Sequence, residues 1–390
     1  MKDFTYCAPT QVIFGRDTEK NIGKILKERG AKKVLMQYGG GSIKRLGLYD
    51  TVVSAIRAEG IELFEVGGVQ PNPHLALVRE CIELVRRENI DYLLAVGGGS
   101  AIDSTKATAV GVPYDGDVWD FYAGKATPKT ALPVGVILTI PAAGSEGSNS
   151  SVITNEDGLI KRGLGCDLTR PAFAIYNPEL TYTLPPYQTA AGASDIMAHT
   201  MERYFTNEEN VDMTDRLCES ILHTIIRNAP IAVADPTNYV ARAEMMWAST
   251  VAHNDFLTAF RVGDWASHQL SHELSAQYDS THGAALAVTF PAWMTYVYKH
   301  DIQRFCRFAT EVMGVEMDHF HPEETALKGI AALKSFFKSI GMPTNLSELG
   351  VPDTELPLLA KKVKKGADGT VGQFVKLTEE DCLAIYNLMR

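Results

Sequence analysis

The chain has 390 residues, 45% of them hydrophobic and 22% charged, a composition that excludes disordered and collagen-like classes and is ordinary for a folded globular protein. At about 150 residues per domain, this length suggests roughly two or three domains. With 37 Lys+Arg against 47 Asp+Glu the formal charge is −10, the wrong sign for a protein that holds nucleic acid through its phosphates.

Cys7, Cys81, Cys166, Cys218, Cys306 and Cys382 are scattered without a C-x-x-C pair, which fits a reducing cytoplasm. The first residues lack the charged and apolar regions of a secretory signal. Ser280 to Tyr298 is the longest uncharged stretch, but it contains His282 and Pro291 and reads as a buried helix rather than a membrane span.

In chain order, Asp17 is a candidate N-cap for a helix through Ile22, Ile25 and Leu26 that stops at Gly30. The strand-like run KKVLMQY follows, then a helix around Val52, Val53 and Ile56 ending at Gly60, the strand IELFEV, a helix with Val78, Cys81, Ile82 and Val85 on one face, and the strand IDYLLAV. Short apolar strands alternating with helices predict a parallel sheet, because parallel strands need crossover connections. PVGVILTIP adds a buried strand, and SSVITNEDGLIKRGL predicts a hairpin turning at Asn155 to Gly158. After Pro178 the pattern becomes helical through Met389. The expectation is an α/β domain with a parallel sheet over residues 1–180 and an all-α domain over 181–390.

Two glycine turns leave strands of the first half. Gly97, Gly98, Gly99 and Ser100 follow DYLLAV and open a helix, the arrangement in which backbone N–H groups and a helix dipole face an anion. The spacing is not G-x-G-x-x-G. Asp103 could touch a ligand or simply brace the loop. The earlier turn, Gly39, Gly40 and Gly41, is followed by Ser42, Lys44 and Arg45, with no carboxylate at the strand end to hold a ribose 2′-OH. A hydroxyl and two cations suit a 2′-phosphate, so NADP(H) is favoured over NAD(H). TIPAAGSEGSNS, from Thr139, could line a nicotinamide or phosphate path.

Ten histidines in 390 residues predict about 0.8 per window of thirty if spread evenly, yet His253, His268, His272 and His282 share one such window. Upstream, Asp195 and His199 are four apart and share a helical face. A carboxylate and several imidazoles without thiolate point to a divalent transition metal. His268 and His272 are also four apart, so spacing leaves open which of them is a ligand.

At this point the sequence resembles the iron-containing, or group III, alcohol dehydrogenase family, in its NADPH-dependent butanol dehydrogenase and aldehyde reductase branch. The motifs that carry the resemblance are FG at Phe14, PNP at Pro71, GGGSAID at Gly97, PAAGSE at Pro141, LPPYQTAAGASDIMAHTMERY at Leu184 and DWASHQLSHELSAQYDSTHGAALAV at Asp264. The resemblance implies metal ligands Asp195, His199, His268 and His282, with iron(II) first and zinc or another transition metal as alternatives. It leaves His272 unligated near nicotinamide or substrate, as a catalytic proton relay.

The same resemblance implies that Gly98, Gly99 and Ser100 take the pyrophosphate, that Asn72, Thr139, Ser145, Lys161 and Leu180 line the cofactor cleft, and that Gly40 to Ser42 takes the adenosine end. It implies a dehydroquinate synthase-like architecture, with an α/β dinucleotide-binding domain over 1–180 and a helical metal-binding and catalytic domain over 181–390, hydride transfer between NADP(H) and a small aliphatic alcohol or aldehyde such as butanol or butanal, and a homodimer. Phe256, Phe260, Trp265 and Tyr278 suit an aliphatic substrate or a packed core. A dehydroquinate synthase-like metal- and NAD-dependent lyase is the alternative, but it must grip a phosphorylated substrate with several cations, and the histidine-rich stretch holds only Arg261.

Overall fold

Short apolar runs form the strands β1 (Gln11–Phe14), β2 (Lys33–Tyr38), β3 (Glu62–Val66), β4 (Tyr92–Gly97), β5 (Val134–Leu138), β6 (Ser150–Asn155), β7 (Ile160–Gly165) and β8 (Phe173–Tyr176). In the computed structural model, which describes residues 1–390, six of them make one parallel sheet in the order β1-β8-β5-β4-β2-β3, while β6 and β7 pair as an antiparallel hairpin. The predicted hairpin and parallel sheet are both present. Strands β2, β4 and β5 are nearly continuous apolar runs because helices cover both faces of the sheet.

Alternation sorts their side chains. Val34, Met36, Leu94 and Val96 pack with Ile22, Leu26, Val52 and Ile56 on one face. Leu35, Leu93 and Ala95 pack with Cys81, Val85 and Ile102 on the other. Two features differ from the sequence reading. Asp17 sits in the left-handed region (φ 59°) and makes no side-chain cap; a 3-10 turn, Thr18–Asn21, precedes the helix Ile22–Glu28. Strands β1 and β8, four residues each, are additional.

The chain divides into two units, residues 7–184 with 236–254, and residues 1–6 with 185–235 and 255–390. The helix Tyr239–His253 belongs to the sheet-bearing unit. There Thr250 Oγ1 donates to the buried Glu146 (2.8 Å) and pairs with Tyr176 OH (2.7 Å), and Gly144 N–H donates to Ser249 Oγ (3.2 Å).

The second unit is helical. Its helices include Pro186–Tyr204, Asp212–Ala234, Ala266–Tyr278, His282–Val297, Pro322–Ser339 and Glu379–Leu388. Pro186–Tyr204 is buried all round from Thr189 onward, its polar residues Asp195, His199 and Glu202 included, as expected of a helix packed on every side. His282–Val297 crosses it in backbone contact: a Cβ on Gly283 would lie 1.9 Å from the carbonyl oxygen of Ala191. No helix is long and apolar enough to cross a membrane.

Candidate functional site

The sheet itself marks one site. The chain runs from β2 outward to β3 and from β4 outward in the opposite direction to β5, so strand order reverses between the neighbours β2 and β4. Ligands of open parallel sheets bind at the carboxyl ends of strands at such a reversal. Tyr38 pairs with Val96 in the β2–β4 register, so the two glycine turns, Gly39–Gly41 and Gly97–Gly99, leave adjacent strands side by side.

Glycine is needed at the second turn because the loop after β5 presses against it. A Cβ on Gly98 would meet Ile140 at 2.8 Å and one on Gly99 would meet Ala143 at 3.0 Å. Gly98 is extended and caps the helix Gly99–Gly111, whose first N–H groups therefore open at the strand end. Thr139 N–H donates to Gly97 O (3.0 Å), which joins the two loops.

Asp103 braces this region. Its carboxylate accepts from Ser145 Oγ (2.6 Å) and Val152 N (2.9 Å) and so ties both the β5 loop and the hairpin to the helix. Burial raises its pKa, against the pull of Lys106 and those two hydrogen bonds. Lys161 on the hairpin donates to Asn72 Oδ1 (2.8 Å), both side chains being buried. Leu180 packs against the core face that holds Tyr38 and Ile43.

At the first turn Gly39 and Gly40 leave room for a side chain. Ser42, Lys44 and Arg45 form a short exposed turn, with the Lys44 ammonium 4.8 Å from the Tyr49 ring centre. Gln37 faces inward, donating to Thr108 Oγ1 (3.1 Å) and accepting from Ser104 Oγ (3.0 Å).

The second site lies wholly within the helical unit. Asp195 is one turn beyond Ala191, the residue that Gly283 touches, so the close crossing of these helices carries His282 to Asp195. Donor atoms of Asp195, His268 and His282 all lie within 4.8 Å of one another. His268 Nε2 and His282 Nε2 stand 3.9 and 3.7 Å from Asp195 Oδ1.

His199 adjoins this group: its Nδ1 is 3.4 Å from Asp195 Oδ1, and its ring centre is 4.6 Å from that of His268. His272 lies one turn along from His268, 5.4 Å ring to ring from His282, and outside the three-donor cluster. His253, from the same sequence window, belongs to the other unit and packs beside Gly144.

The chemistry of the trio fits a divalent metal. One carboxylate and two imidazoles are a borderline donor set, and the buried His268 Nε2 has no hydrogen-bond partner. Buried nitrogens seldom go unpartnered without a function.

One buried carboxylate escaped the sequence reading. Glu202 accepts from His268 Nδ1 (2.8 Å), His268 N (2.9 Å) and Trp265 N (2.5 Å). The signal was present in AHTMERY, where Glu202 follows His199 by three residues and shares its helical face. Asp264 lies beside it, its carboxyl held above the usual carboxylate range by burial and then by the charge of Glu202, while accepting from Phe374, Gln373 and Ala266 N–H groups. Of the four aromatic candidates, Trp265 reaches the histidines, its ring centre 5.2 Å from that of His268. Phe256 and Phe260 pack on Tyr6 and Phe4, and Tyr278 donates to Glu355.

Comparison with known proteins agrees with this architecture. Residues 9–178 match the family profile described as iron-containing alcohol dehydrogenase. Residues 189–389 match the C-terminal profile of the Fe-containing alcohol dehydrogenase family. The chain is 44% identical over 386 residues, 99% of each chain, to a probable NADH-dependent butanol dehydrogenase of Bacillus subtilis. It is 35% identical over 395 residues, covering 100% of both, to an NADPH-dependent aldehyde reductase of Escherichia coli. Among solved structures it is similar to the NADH-dependent butanol dehydrogenase A of Thermotoga maritima, with a TM-score of 0.96 and 39% identity over 100% of this chain and 99% of that one.

Proposed function

The chain belongs to the iron-containing alcohol dehydrogenase family, and from that premise we propose that it is a metal-dependent oxidoreductase that interconverts small aliphatic alcohols and aldehydes, such as butanol and butanal, using NADP(H). The observation that carries the reading is the convergence of Asp195, His268 and His282 within 4.8 Å, in a chain whose sheet also places two glycine turns at its strand-order reversal. Either feature alone is compatible with other chemistry. Together they are the equipment of a nicotinamide enzyme with a Lewis-acid centre.

Asp195, His268 and His282, with His199 beside them, would hold the metal, iron(II) before zinc. When bound, the metal supplies Lewis acidity toward the substrate oxygen, and the nicotinamide supplies or accepts hydride. The backbone of Gly98, Gly99 and Ser100 binds the pyrophosphate at the start of the helix Gly99–Gly111. Thr139, Ser145, Asn72, Lys161 and Leu180 line the rest of the cofactor path, and Asp103 supports it by holding Ser145. Ser42 and Lys44, after Gly39, Gly40 and Gly41, take the 2′-phosphate. His272 gives or takes the proton at the substrate oxygen, a task suited to an imidazole, whose ring nitrogens can both donate and accept. The Trp265 ring presents an apolar surface beside the histidines.

Relatives named for NADH and for NADPH both match the chain. The preference for NADP(H) rests on the local chemistry of the first glycine turn, which offers a hydroxyl and cations and no carboxylate. The lyase alternative loses its one cation: Arg261 is buried and committed to Asp215 (2.7 Å) and to the carbonyls of Arg203 and Val211.

The test is metal analysis of the purified protein paired with an aldehyde panel in NADPH and NADH. Stoichiometric iron or zinc with faster NADPH oxidation on butanal is the expected result. Absence of metal, or of turnover with every aldehyde, refutes the proposal.

A further inference from the structure

The helix Ala266–Tyr278, which carries both His268 and His272, has an unusual start. Its N-cap, Trp265, has φ 68°, a conformation disfavoured for a residue with a Cβ, and its side chain makes no cap hydrogen bond. Two carboxylates from outside the helix body accept N–H groups at this start instead. Ala266 N–H donates to Asp264 Oδ2 (3.2 Å), while Trp265 N–H and His268 N–H donate to Glu202 Oε2 and Oε1 (2.5 and 2.9 Å). Glu202 comes from the last turn of the helix Pro186–Tyr204 and is fully buried. It therefore caps, from another helix, the positive end of a helix of 13 residues.

A cap alone would need only backbone N–H groups. Glu202 Oε1 also lies 2.8 Å from His268 Nδ1. A carboxylate is an acceptor, so Nδ1 carries a ring proton and, in the neutral imidazole that binds metal, Nε2 carries the lone pair. Nε2 is the nitrogen without a hydrogen-bond partner, and it faces Asp195 Oδ1 at 3.9 Å. Asp195, His199 and Glu202 follow one another at spacings of four and three, so one face of one helix supplies a candidate ligand, its neighbour and the group that orients a second ligand.

We infer that Glu202 is a positioning residue of the metal centre: it sets the tautomer and ring orientation of His268 and anchors the start of the helix that bears it, so that Nε2 is a preformed metal donor. The inference rests on the reading of Asp195, His268 and His282 as ligands. Carboxylate partners of ligating imidazoles raise ligand basicity, and their loss costs about 10- to 100-fold in metal affinity. Glutamine at 202 keeps the shape but removes the charge, and its amide N–H₂ must point at another N–H group.

The experiment compares zinc and cobalt dissociation constants of wild type, Glu202→Gln and His268→Gln, measured by competition with a chromophoric chelator after metal removal, alongside the thermal midpoint without metal. Glu202→Gln is expected to bind about 10- to 100-fold more weakly than wild type, with a lower metal-free midpoint as well, because a buried N–H at the helix start loses its acceptor. Equal affinity of Glu202→Gln and wild type, with His268→Gln weakened, overturns the role of Glu202 and leaves the ligand reading standing. A wild type that takes up no metal overturns both. A second measurement does not depend on how the variant folds. In zinc-loaded wild type labelled with ¹⁵N-histidine, the resonances absent from His268→Gln should report a protonated Nδ1 and a zinc-bound Nε2. Zinc on Nδ1, or a proton on Nε2, overturns the inference.

Discussion

Replacing Gly39 by Asp tests the cofactor reading most directly, because the structure makes it a nearly pure change of charge. A Cβ at Gly39 meets only the Val69 carbonyl oxygen, at 3.4 Å, and the residue is not in the left-handed region, so an aspartate fits without moving the backbone. The new carboxylate stands at the end of β2, where dinucleotide folds place the acid that holds a ribose 2′-OH and repels a 2′-phosphate. Two unit charges about 5 Å apart repel by roughly 3 kcal/mol at an effective dielectric of 20 and by less than about 1 kcal/mol in water. Ser42 and Lys44 are exposed, which puts the expectation between these limits, at about 1.4–2.7 kcal/mol, a 10- to 100-fold change. The assay is kcat/KM for NADPH and NADH with butanal as fixed substrate, at two ionic strengths. NADPH should lose that factor, less so in high salt, while NADH is unchanged or improves. A wild type that already prefers NADH, or a variant with an unaltered cofactor ratio, refutes the argument that this turn reads the 2′-phosphate.

Other perturbations have equally definite outcomes. His272→Ala should retain metal by elemental analysis while kcat falls about 10²- to 10⁴-fold, the usual value of a proton relay; a metal-free variant would make His272 a ligand. Gly283→Ala puts a methyl 1.9 Å from the Ala191 carbonyl oxygen, so the helices must part. A cost at or above the upper end of overpacking, about 3 kcal/mol, should lower the melting temperature by roughly 6–12 °C for a unit of this size and weaken metal binding with it. Burial, against the pull of Asp103 and Glu146, lowers the Lys106 pKa from 10.5 to about 8. Between those values the folded chain binds fewer protons than the unfolded one, so this group makes stability rise with pH across that window, by at most about 1.4 kcal/mol per pH unit, and the gain is lost as pH falls through 8. Urea melts of wild type and Lys106→Met from roughly pH 7.5 to 9.5 should show the rise in wild type alone.

Much of this architecture is written locally. Buried parallel strands such as KVLMQY and YLLAVG are continuous apolar runs, and hydrophobic periodicity is a property of neighbouring residues, so the sheet, its crossover helices and the hairpin were legible. The two glycine turns were legible for the same reason, as was the pairing of Asp195 with His199 one helical turn apart. Strands β1 and β8 were not, since four residues carry too little pattern to separate a strand from a loop. The helix Tyr239–His253 shows ordinary helical periodicity, and nothing in that pattern says which unit it joins. Tyr176, Glu146 and Gly144 decide it, through hydrogen bonds to Thr250 and Ser249.

Histidine enrichment announced a metal without saying which imidazoles converge. His253 drops out because its helix packs with the sheet, and His282 comes in because Gly283 lets two backbones touch. Glu202 meets His268 across 66 residues of sequence, a pairing that no spacing rule reaches. The sequence alone therefore determined element types, the glycine turns and the donor inventory, all of which depend on interactions within a few residues. Tertiary structure alone decided which donors share a point in space and which nitrogen of His268 is presented there, because both depend on how closely separate helices approach and on which distant carboxylate is buried between them.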